Sequence, residues 1–229
     1  MRRVLNSLVV ILWSVFVLPL TALAVPLDSL IDSGASITQG DKVFDNFTGS
    51  LSAFRASPES LSEVDVSGIT VGGAHGLRVS GGFFAAGSVE QQEGSGVILS
   101  VEFDVTAIDP HRRIHGITLV LPDAELSGFA SVSASAAPAF VSAFHDEFFG
   151  SIFVGPLSDV RTFSSNVTSM HIDAGLGVST ASMGGAITGG FNVTFPQSVP
   201  EPSILLSLGA GAILVIVMAR EREGSARRQ

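Results

Sequence analysis

Short runs of alternating apolar and polar residues constrain this chain more than any other feature of its sequence. In the run Val101–Ala107, Val101, Phe103 and Val105 alternate with acidic residues and a threonine, and Phe191–Phe195 repeats the pattern. Successive side chains of a strand point to opposite faces, so a period of two predicts strands with one buried face. No long segment with a period of 3.6 residues lies between Val25 and Val199, which disfavours a βαβ architecture.

Turn signals separate the predicted strands along the whole central region, residues 25–196. Glycine and proline mark these turns, for example at Gly72-Gly73, Asp109-Pro110 and Gly184-Gly185. About ten short strands at this spacing are typical of an all-β fold, and we predict an antiparallel β-sandwich of jelly-roll type. Residues 28–40 and 125–138 show no clear period. We expect an N-terminal signal helix before this domain and a C-terminal transmembrane helix after it.

The first 24 residues have the layout of a secretory signal peptide. Arg2 and Arg3 precede the apolar run Leu8–Leu18, and the segment ends with the small residues Ala22 and Ala24. Signal peptidase would cut after Ala24 in this interpretation. An uncleaved membrane anchor is the alternative, but the apolar run is too short to span a bilayer comfortably.

The C-terminal segment, residues 197–229, also has the layout of a targeting signal. Val199-Pro200-Glu201-Pro202 precedes an apolar stretch, which we predict to be a transmembrane helix over residues 203–219. The apolar stretch Ile204–Ala219 has sixteen residues and reaches about 24 Å as a helix, which is a marginal length for a bilayer core of about 30 Å. The cytoplasmic tail 220–229 contains the arginines that set the topology under the positive-inside rule, and the body of the protein then lies outside the cytoplasmic membrane. These arginines are Arg220, Arg222, Arg227 and Arg228.

The order of motif, apolar helix and terminal arginines resembles the PEP-CTERM sorting signal of bacterial exported proteins. The resemblance implies that an exosortase, an integral membrane enzyme, cuts near Pro200-Glu201-Pro202 and removes the helix. It also implies a place at the cell surface or in the extracellular matrix, where the family accompanies exopolysaccharide and biofilm formation. Glu221 and Glu223 interrupt the basic cluster that the family carries. A simple tail anchor is the alternative interpretation. Similar tails are also labelled as an ice-binding protein C-terminal domain, but regular Thr-x-Thr ladders are missing from this sequence.

Charge and composition exclude several functions. The net charge is −9 and the pI is about 4.9, so the chain has no means of neutralising nucleic-acid phosphates. Cysteine is absent, which excludes disulfides, thiolate nucleophiles and cysteine-based metal sites. Tyrosine is also absent and the single tryptophan is Trp13, so phenylalanine is the only aromatic residue left once a signal peptide is removed.

The histidines do not form a pattern that predicts catalysis or a resident metal. His111 and His115 have HxxxH spacing, but they lack the glutamate of the zinc-protease motif and follow a predicted turn. His145-Asp146-Glu147 lies between phenylalanines and is typical of a solvated hairpin tip, with an acid–base cluster as the alternative. His75 lies in a glycine-rich turn that lacks the lysine of a phosphate-binding loop.

Carboxylates are the remaining candidate ligands. Asp28 with Asp32, or Asp41 with Asp45, could supply oxygens to Ca²⁺, although neither pair forms the twelve-residue loop with regularly spaced acids. We therefore expect no required cofactor and a diffuse acidic surface.

These observations together predict a non-enzymatic, exported surface or matrix protein. Signal peptidase and exosortase would process it, the C-terminal helix would hold it in the membrane transiently, and the mature domain would be structural or adhesive in exopolysaccharide and biofilm. A secreted carbohydrate-binding module or glycan hydrolase is the alternative, since glycosidases need only two suitably placed carboxylates.

Overall fold

The computed structural model describes residues 23–88, 93–146, 152–154 and 156–198. Ala22 of the predicted signal peptide, the motif 199–202 and the arginines of residues 220–229 lie outside the described residues, as does the predicted C-terminal helix. Within the described part of the chain, no helix combines the length and the apolarity that crossing a membrane requires.

The described elements are mostly strands, with one α-helix and one 3₁₀ turn. In chain order they are β1 (Val25–Pro26), α1 (Leu27–Ser33), β2 (Ile37–Gln39), β3 (Lys42–Phe54), β4 (Ala56–Ser57), a 3₁₀ turn (Leu61–Glu63), β5 (Asp65–Val71), β6 (Ala74–Ala86), β7 (Ser95–Ala107), β8 (Arg113–Leu121), β9 (Glu125–Ala136), β10 (Ala139–Asp146), β11 (Ile152–Val154), β12 (Leu157–Val167), β13 (Ser169–Phe195) and β14 (Gln197–Ser198).

Helix α1 occupies the first region that the sequence left undecided. Leu27 and Leu30 are buried and lie on one face at i, i+3 spacing, while Asp28 sits in the first turn, where the helix dipole favours a negative charge. Gly34 ends the helix in the left-handed conformation, and its backbone N–H donates to the carbonyl of Ile31.

The strands form one antiparallel sheet that curls on itself. Its main order is β1-β5-β6-β13-β7-β3-β2, and β13 also pairs with β8 and β9. Strand β9 pairs in turn with β10 and β11, while β8 pairs with β12 and β14. The first half of β13 pairs with β7 and β9, whereas its second half pairs mainly with β6.

The predicted turn at Gly184-Gly185 is wrong, because both glycines lie inside β13. The strand nevertheless bends here: its register with β9 shifts between Thr180 and Gly184. A Cβ atom added to Gly184 would lie 2.7 Å from the carbonyl oxygen of Phe129, so only glycine fits beside β9 at this bend. The two glycines therefore mark a change of direction within one continuous strand.

The two halves of the curled sheet face each other across a single hydrophobic core. The ring centroids of Phe44 and Phe103 are 6.1 Å apart, and Phe195 lies 5.8 Å from Phe44 and 6.5 Å from Phe103. Phe195 belongs to the second half of β13, whereas the other two rings belong to β3 and β7. The structure therefore confirms the predicted all-β class and its antiparallel strand pairing.

The molecule has two ends, which differ in chemistry. At the Asp41 end, the backbone oxygen of Asp41 in the β2–β3 turn accepts from the N–H of Ile108, and the Asp41 side chain lies beside His75. At the Phe54 end, Phe54 closes β3 and lies opposite Gly96 at the start of β7. Thirteen residues of β3 separate the two ends, a length of about 40 Å.

Candidate functional site

Four neighbouring strands bring small, uncharged side chains together on the outer face of the sheet near the Phe54 end. The alternating residues of β7, β9 and β13, such as Val97, Val132 and Val178, are buried and apolar, so their neighbours point outward. Cross-strand register aligns the outward residues in two rows. In the order across the sheet, β3, β7, β13 and β9, one row is Ser52, Ile98, Gly177 and Ser133, and the next is Phe54, Gly96, Ser179 and Ser131.

These two rows line a shallow groove of about 400 Å³, which we call the serine groove. Gly96 and Gly177 lower its floor: a Cβ atom on Gly177 would lie 3.1 Å from Oγ of Ser133. Phe54 and Ile98 stand above the floor, with 59% and 66% of their surface exposed. The groove crosses four strands, a width of about 14 Å.

The serine groove combines hydroxyl groups with an aromatic ring and contains no charged side chain. Ser131 and Ser179 already share a hydrogen bond of 2.8 Å across neighbouring strands, and each hydroxyl retains capacity to donate or accept. Phe54 offers an apolar ring face, and the guanidinium of Arg55 lies 5.2 Å from the ring centroid. Arg55 also pairs with Glu93, so the charge at the border of the groove is balanced.

A second polar group lies on the same face, closer to the Asp41 end. Asp104 accepts from the side-chain amide of Asn46 at 2.8 Å, and its other oxygen lies 2.7 Å from Nδ1 of His171. The hydrogen bond from Asn46, followed by that with His171, holds the pKa of Asp104 below its usual range. Sequence reasoning did not single out His171. Among the described residues, no group of three or more histidines and carboxylates is placed to hold a metal ion.

The Asp41 end contains a buried ion pair. The Lys42 side chain is completely buried, and its Nζ lies 3.4 Å from Oδ1 of Asp41, while the Gln197 side chain donates to Oδ2. Burial raises the pKa of Asp41, but the Gln197 hydrogen bond and the charge of Lys42 outweigh it, so the pKa lies below its ordinary value. Burial also lowers the pKa of Lys42, against the opposing effect of Asp41. This cluster fastens β14 to the β2–β3 turn.

The predicted histidine candidates lie apart from the serine groove. His111 is exposed in the loop before β8, while His115 lies within β8 and donates its backbone N–H to Pro196. The Nδ1 atom of His75 lies 2.9 Å from Oγ1 of Thr70, beside the turn that the glycines predicted. His145 and Asp146 pair with β9 at the end of β10, and Glu147 lies outside the described residues.

The predicted calcium ligands also lie outside the serine groove. Asp28 accepts from the backbone N–H of Ser29 and lies with Asp32 on α1. Asp41 is committed to Lys42 and Gln197, as described above. Asp45 lies on β3 opposite Asp104, four residues from Asp41, and the two carboxylates belong to no metal-ligand group among the described residues.

Two further carboxylates share a smaller pocket of about 200 Å³, lined by Asp123 and Glu125 together with Thr188. Asp123 accepts a hydrogen bond of 3.2 Å from the backbone N–H of Gly189. This pocket is distinct from the serine groove, since the two have no lining residue in common.

The chain is an antiparallel β protein with an uncharged groove at one end, and no family model and no curated protein matches it. Among solved structures, TmCBM61 in complex with β-1,4-galactotriose has 9% sequence identity and a TM-score of 0.33, covering 65% of this chain and 88% of its own. TmCBM27, a carbohydrate-binding module with specific mannan recognition, has 13% identity and a TM-score of 0.23, covering 66% and 87%. The enzymatically active domain of tailspike protein 4 of bacteriophage CBA120 has 11% identity and a TM-score of 0.24, covering 66% and 19%. At these TM-scores the likeness carries no argument about ligand or activity.

Proposed function

We propose that this chain is an exported bacterial surface or extracellular-matrix protein whose β domain holds extracellular polysaccharide in the serine groove. The observation that carries the proposal is the groove itself, in which serine hydroxyls and the exposed Phe54 ring line an uncharged surface. Polysaccharides present rows of hydroxyls and apolar C–H faces: the serine hydroxyls can hydrogen-bond the former, and the Phe54 ring can pack against the latter. In this proposal the domain binds polysaccharide and does not cleave it. We also propose that the curled sheet is a jelly-roll-like sandwich.

The export route of the proposal comes from the two ends of the sequence. Signal peptidase cuts after Ala24, the apolar run after Pro202 inserts into the membrane, and an exosortase then removes it near Pro200-Glu201-Pro202. The mature chain stays at the cell surface or enters the matrix, where polysaccharide is available to the groove.

A binding experiment with matched phenylalanine variants tests the groove. We expect the chain to be retarded in affinity gels containing galactan, mannan, dextran or cellulose derivatives, and Phe54→Ala to weaken the affinity about tenfold through loss of the ring contact. The control is Phe84→Ala, because Phe84 is exposed to a similar degree but lies on β6, outside the groove. Equal losses in the two variants, or no retardation of the wild-type chain by any polysaccharide, would refute polysaccharide binding at this site.

A second variant fills the groove without removing any group. Valine at position 177 would project from the floor of the groove, and its strain is limited to a small shift of the Ser133 hydroxyl. We expect Gly177→Val to abolish binding while the circular dichroism spectrum and unfolding midpoint stay close to those of the wild-type chain.

Mass spectrometry of the native C-terminus tests the sorting route. A terminus near Glu201, found in the envelope or medium fraction, supports processing by an exosortase. An intact Gln229 in the membrane fraction indicates a simple tail anchor and refutes the sorting step.

The alternative function, a secreted glycan hydrolase, would use the Asp123 and Glu125 pocket rather than the serine groove. It predicts release of reducing ends from a bound polysaccharide and loss of that release in Asp123→Asn. Binding without turnover favours the non-enzymatic proposal.

A further inference from the structure

The C-terminal segment leaves the domain at the Asp41 end. Gln197 and Ser198 form β14 and pair with Ile114 and Arg113 of β8, and the Gln197 side chain donates to Asp41. Five residues lie between Ser198 and Ile204, where the apolar run begins, so the two positions are six steps along the chain and at most about 22 Å apart when the chain is fully extended. Any membrane that holds the apolar run therefore lies close to the Asp41 end and far from the Phe54 end.

The Asp41 end also carries exposed cations in an otherwise acidic domain. Residues 25–199 contain 6 basic and 18 acidic residues. Arg112 ends the loop before β8, and Arg113 begins β8 and pairs with Ser198 of β14. Arg113 is exposed, and no ion pair involving it is found among the described residues. Arg112 lies 3.8 Å from Asp41 and 3.7 Å from Asp109, and Asp41 also pairs with Lys42, so these two carboxylates are engaged and leave the charge of Arg113 unbalanced within the described part of the chain.

Two exposed aliphatic side chains lie at the same end. Ile108 is 55% exposed and follows β7 directly, where its backbone N–H donates to Asp41. Val71 is 53% exposed and closes β5, next to the turn that leads into His75. Exposed apolar side chains next to arginines are the combination that binds the headgroup region of a membrane.

We propose that the Asp41 end is a membrane-contacting surface, on which Arg112, Arg113 and Ile108 rest against anionic phospholipid headgroups while the apolar run is inserted. This inference rests on the membrane tail of the proposed function, and it adds the orientation of the domain. The acidic remainder of the domain is repelled by an anionic surface, so the Asp41 end is the side that approaches it. The serine groove then opens about 40 Å away, toward the surrounding matrix.

The absence of cysteine allows a direct test on the full chain. Val71→Cys places a single fluorescent label at the Asp41 end, and Ala53→Cys places one at the Phe54 end, where Ala53 is also exposed. Each labelled chain is reconstituted into phosphatidylcholine vesicles with or without phosphatidylglycerol, and a nitroxide on the lipid headgroups quenches labels that touch the surface. We expect quenching of the label at position 71 and not at position 53, with an increase when phosphatidylglycerol is present.

Charge reversal provides the matched comparison. Arg113→Glu should lower the ratio of surface-bound to free domain at least about fivefold, the contribution of one arginine beside an anionic membrane. Arg55→Glu makes the same change in net charge at the Phe54 end, where Arg55 is exposed, and should leave the quenching of the label at position 71 unchanged.

The outcomes separate this proposal from the one on which it rests. Vesicles that float with the chain but quench both labels equally, or neither, overturn the membrane-contacting surface and leave the tail intact. A chain that does not float with vesicles overturns the membrane tail, and the contacting surface with it. Polysaccharide binding by the serine groove is measured separately and stands or falls with the phenylalanine variants.

Discussion

Replacing two rings that meet across the core tests whether the two halves of the curled sheet pack as described. Phe103 of β7 and Phe195 of β13 are almost fully buried, and their rings meet edge to face at a centroid distance of 6.5 Å. Leucine keeps most of the buried volume, so each single substitution should cost about 1–2 kcal/mol of unfolding free energy. An aromatic pair contributes about 0.5–1.5 kcal/mol beyond its buried area. The double variant should therefore lose about 0.5–1.5 kcal/mol less unfolding free energy than the two single variants lose in sum.

Urea unfolding followed by far-ultraviolet circular dichroism gives the four free energies of this cycle. The control cycle combines Phe103→Leu with Phe83→Leu. Phe83 is equally buried but lies on β6, and it is not among the rings of the described residues that contact Phe103, which are Phe44, Phe47 and Phe195. The control pair should add within about 0.5 kcal/mol, as independent sites do. Additive losses for Phe103 and Phe195 as well would refute the packing of the second half of β13 against β7.

Three further predictions concern other parts of the domain. Folding lowers the pKa of Asp41 below the ordinary value of 3.8, so the ionised carboxylate stabilises the fold above pH 3.8, and this stabilisation is lost as the pH falls through the pKa of the folded state. The urea unfolding midpoint of Asp41→Asn should therefore change less between pH 6 and pH 3 than that of the wild type. Gly190→Ala should destabilise the fold by more than about 3 kcal/mol or prevent folding, because φ is 126° and the added Cβ would lie 2.0 Å from the carbonyl oxygen of Val79; an unfolding midpoint near that of the wild type would contradict this. Replacing both Asp159 and Arg161 by valine should increase self-association in analytical ultracentrifugation, since charged side chains on the edge strand β12 discourage pairing with a second chain; an unchanged monomer would refute that role.

Sequence periodicity predicted the strands whose two faces differ strongly in polarity, and it was ambiguous where they do not. In β9 the buried positions Ala130, Ala134 and Ala136 alternate with serines, so the difference between inward and outward residues is small. The sequence left this region undecided for that reason. Its neighbours β10 and β13 supply the pairing that makes it a strand.

The glycine signal at Gly184 predicted the right position for a change of direction but the wrong structure, a turn instead of a bent strand. The residue marks a change of direction, as a turn signal should, but the chain pairs with β9 on both sides of the bend, up to Thr180 and again from Gly184, and pairs with β6 from Gly185. Local sequence indicates where the backbone needs room; whether the ladder continues depends on the neighbouring strands, which sequence reasoning on one segment does not include.

The serine groove was not predicted because no single strand contains it. Each strand contributes two residues, and only the register of β3, β7, β13 and β9 aligns them. The available signal was a period of two in small polar residues, visible as Ser131, Ser133 and Ser135 in β9 and as Gly175, Gly177 and Ser179 in β13. The Asp41 cluster was missed for a related reason. The local sequence places Lys42 next to a turn, where a charge is usually solvated, whereas its side chain is buried and its partner Asp41 accepts from Gln197, far along the chain.

The path of β13 explains why the groove and the chain exit lie at opposite ends. The strand starts at Ser169 opposite Thr106, near the Asp41 end, and reaches the Phe54 end at Thr180, opposite Ser95. It then bends at Gly184 and returns to the Asp41 end, where Phe195 lies opposite His75. Without that return, a tail leaving the domain would emerge beside the serine groove and hold it against the membrane. Because the bend returns the chain before β14, one continuous strand both lines the groove and carries the exit away from it. Under the proposed function, this path would leave the groove of an anchored domain free to bind large, slowly diffusing polymers.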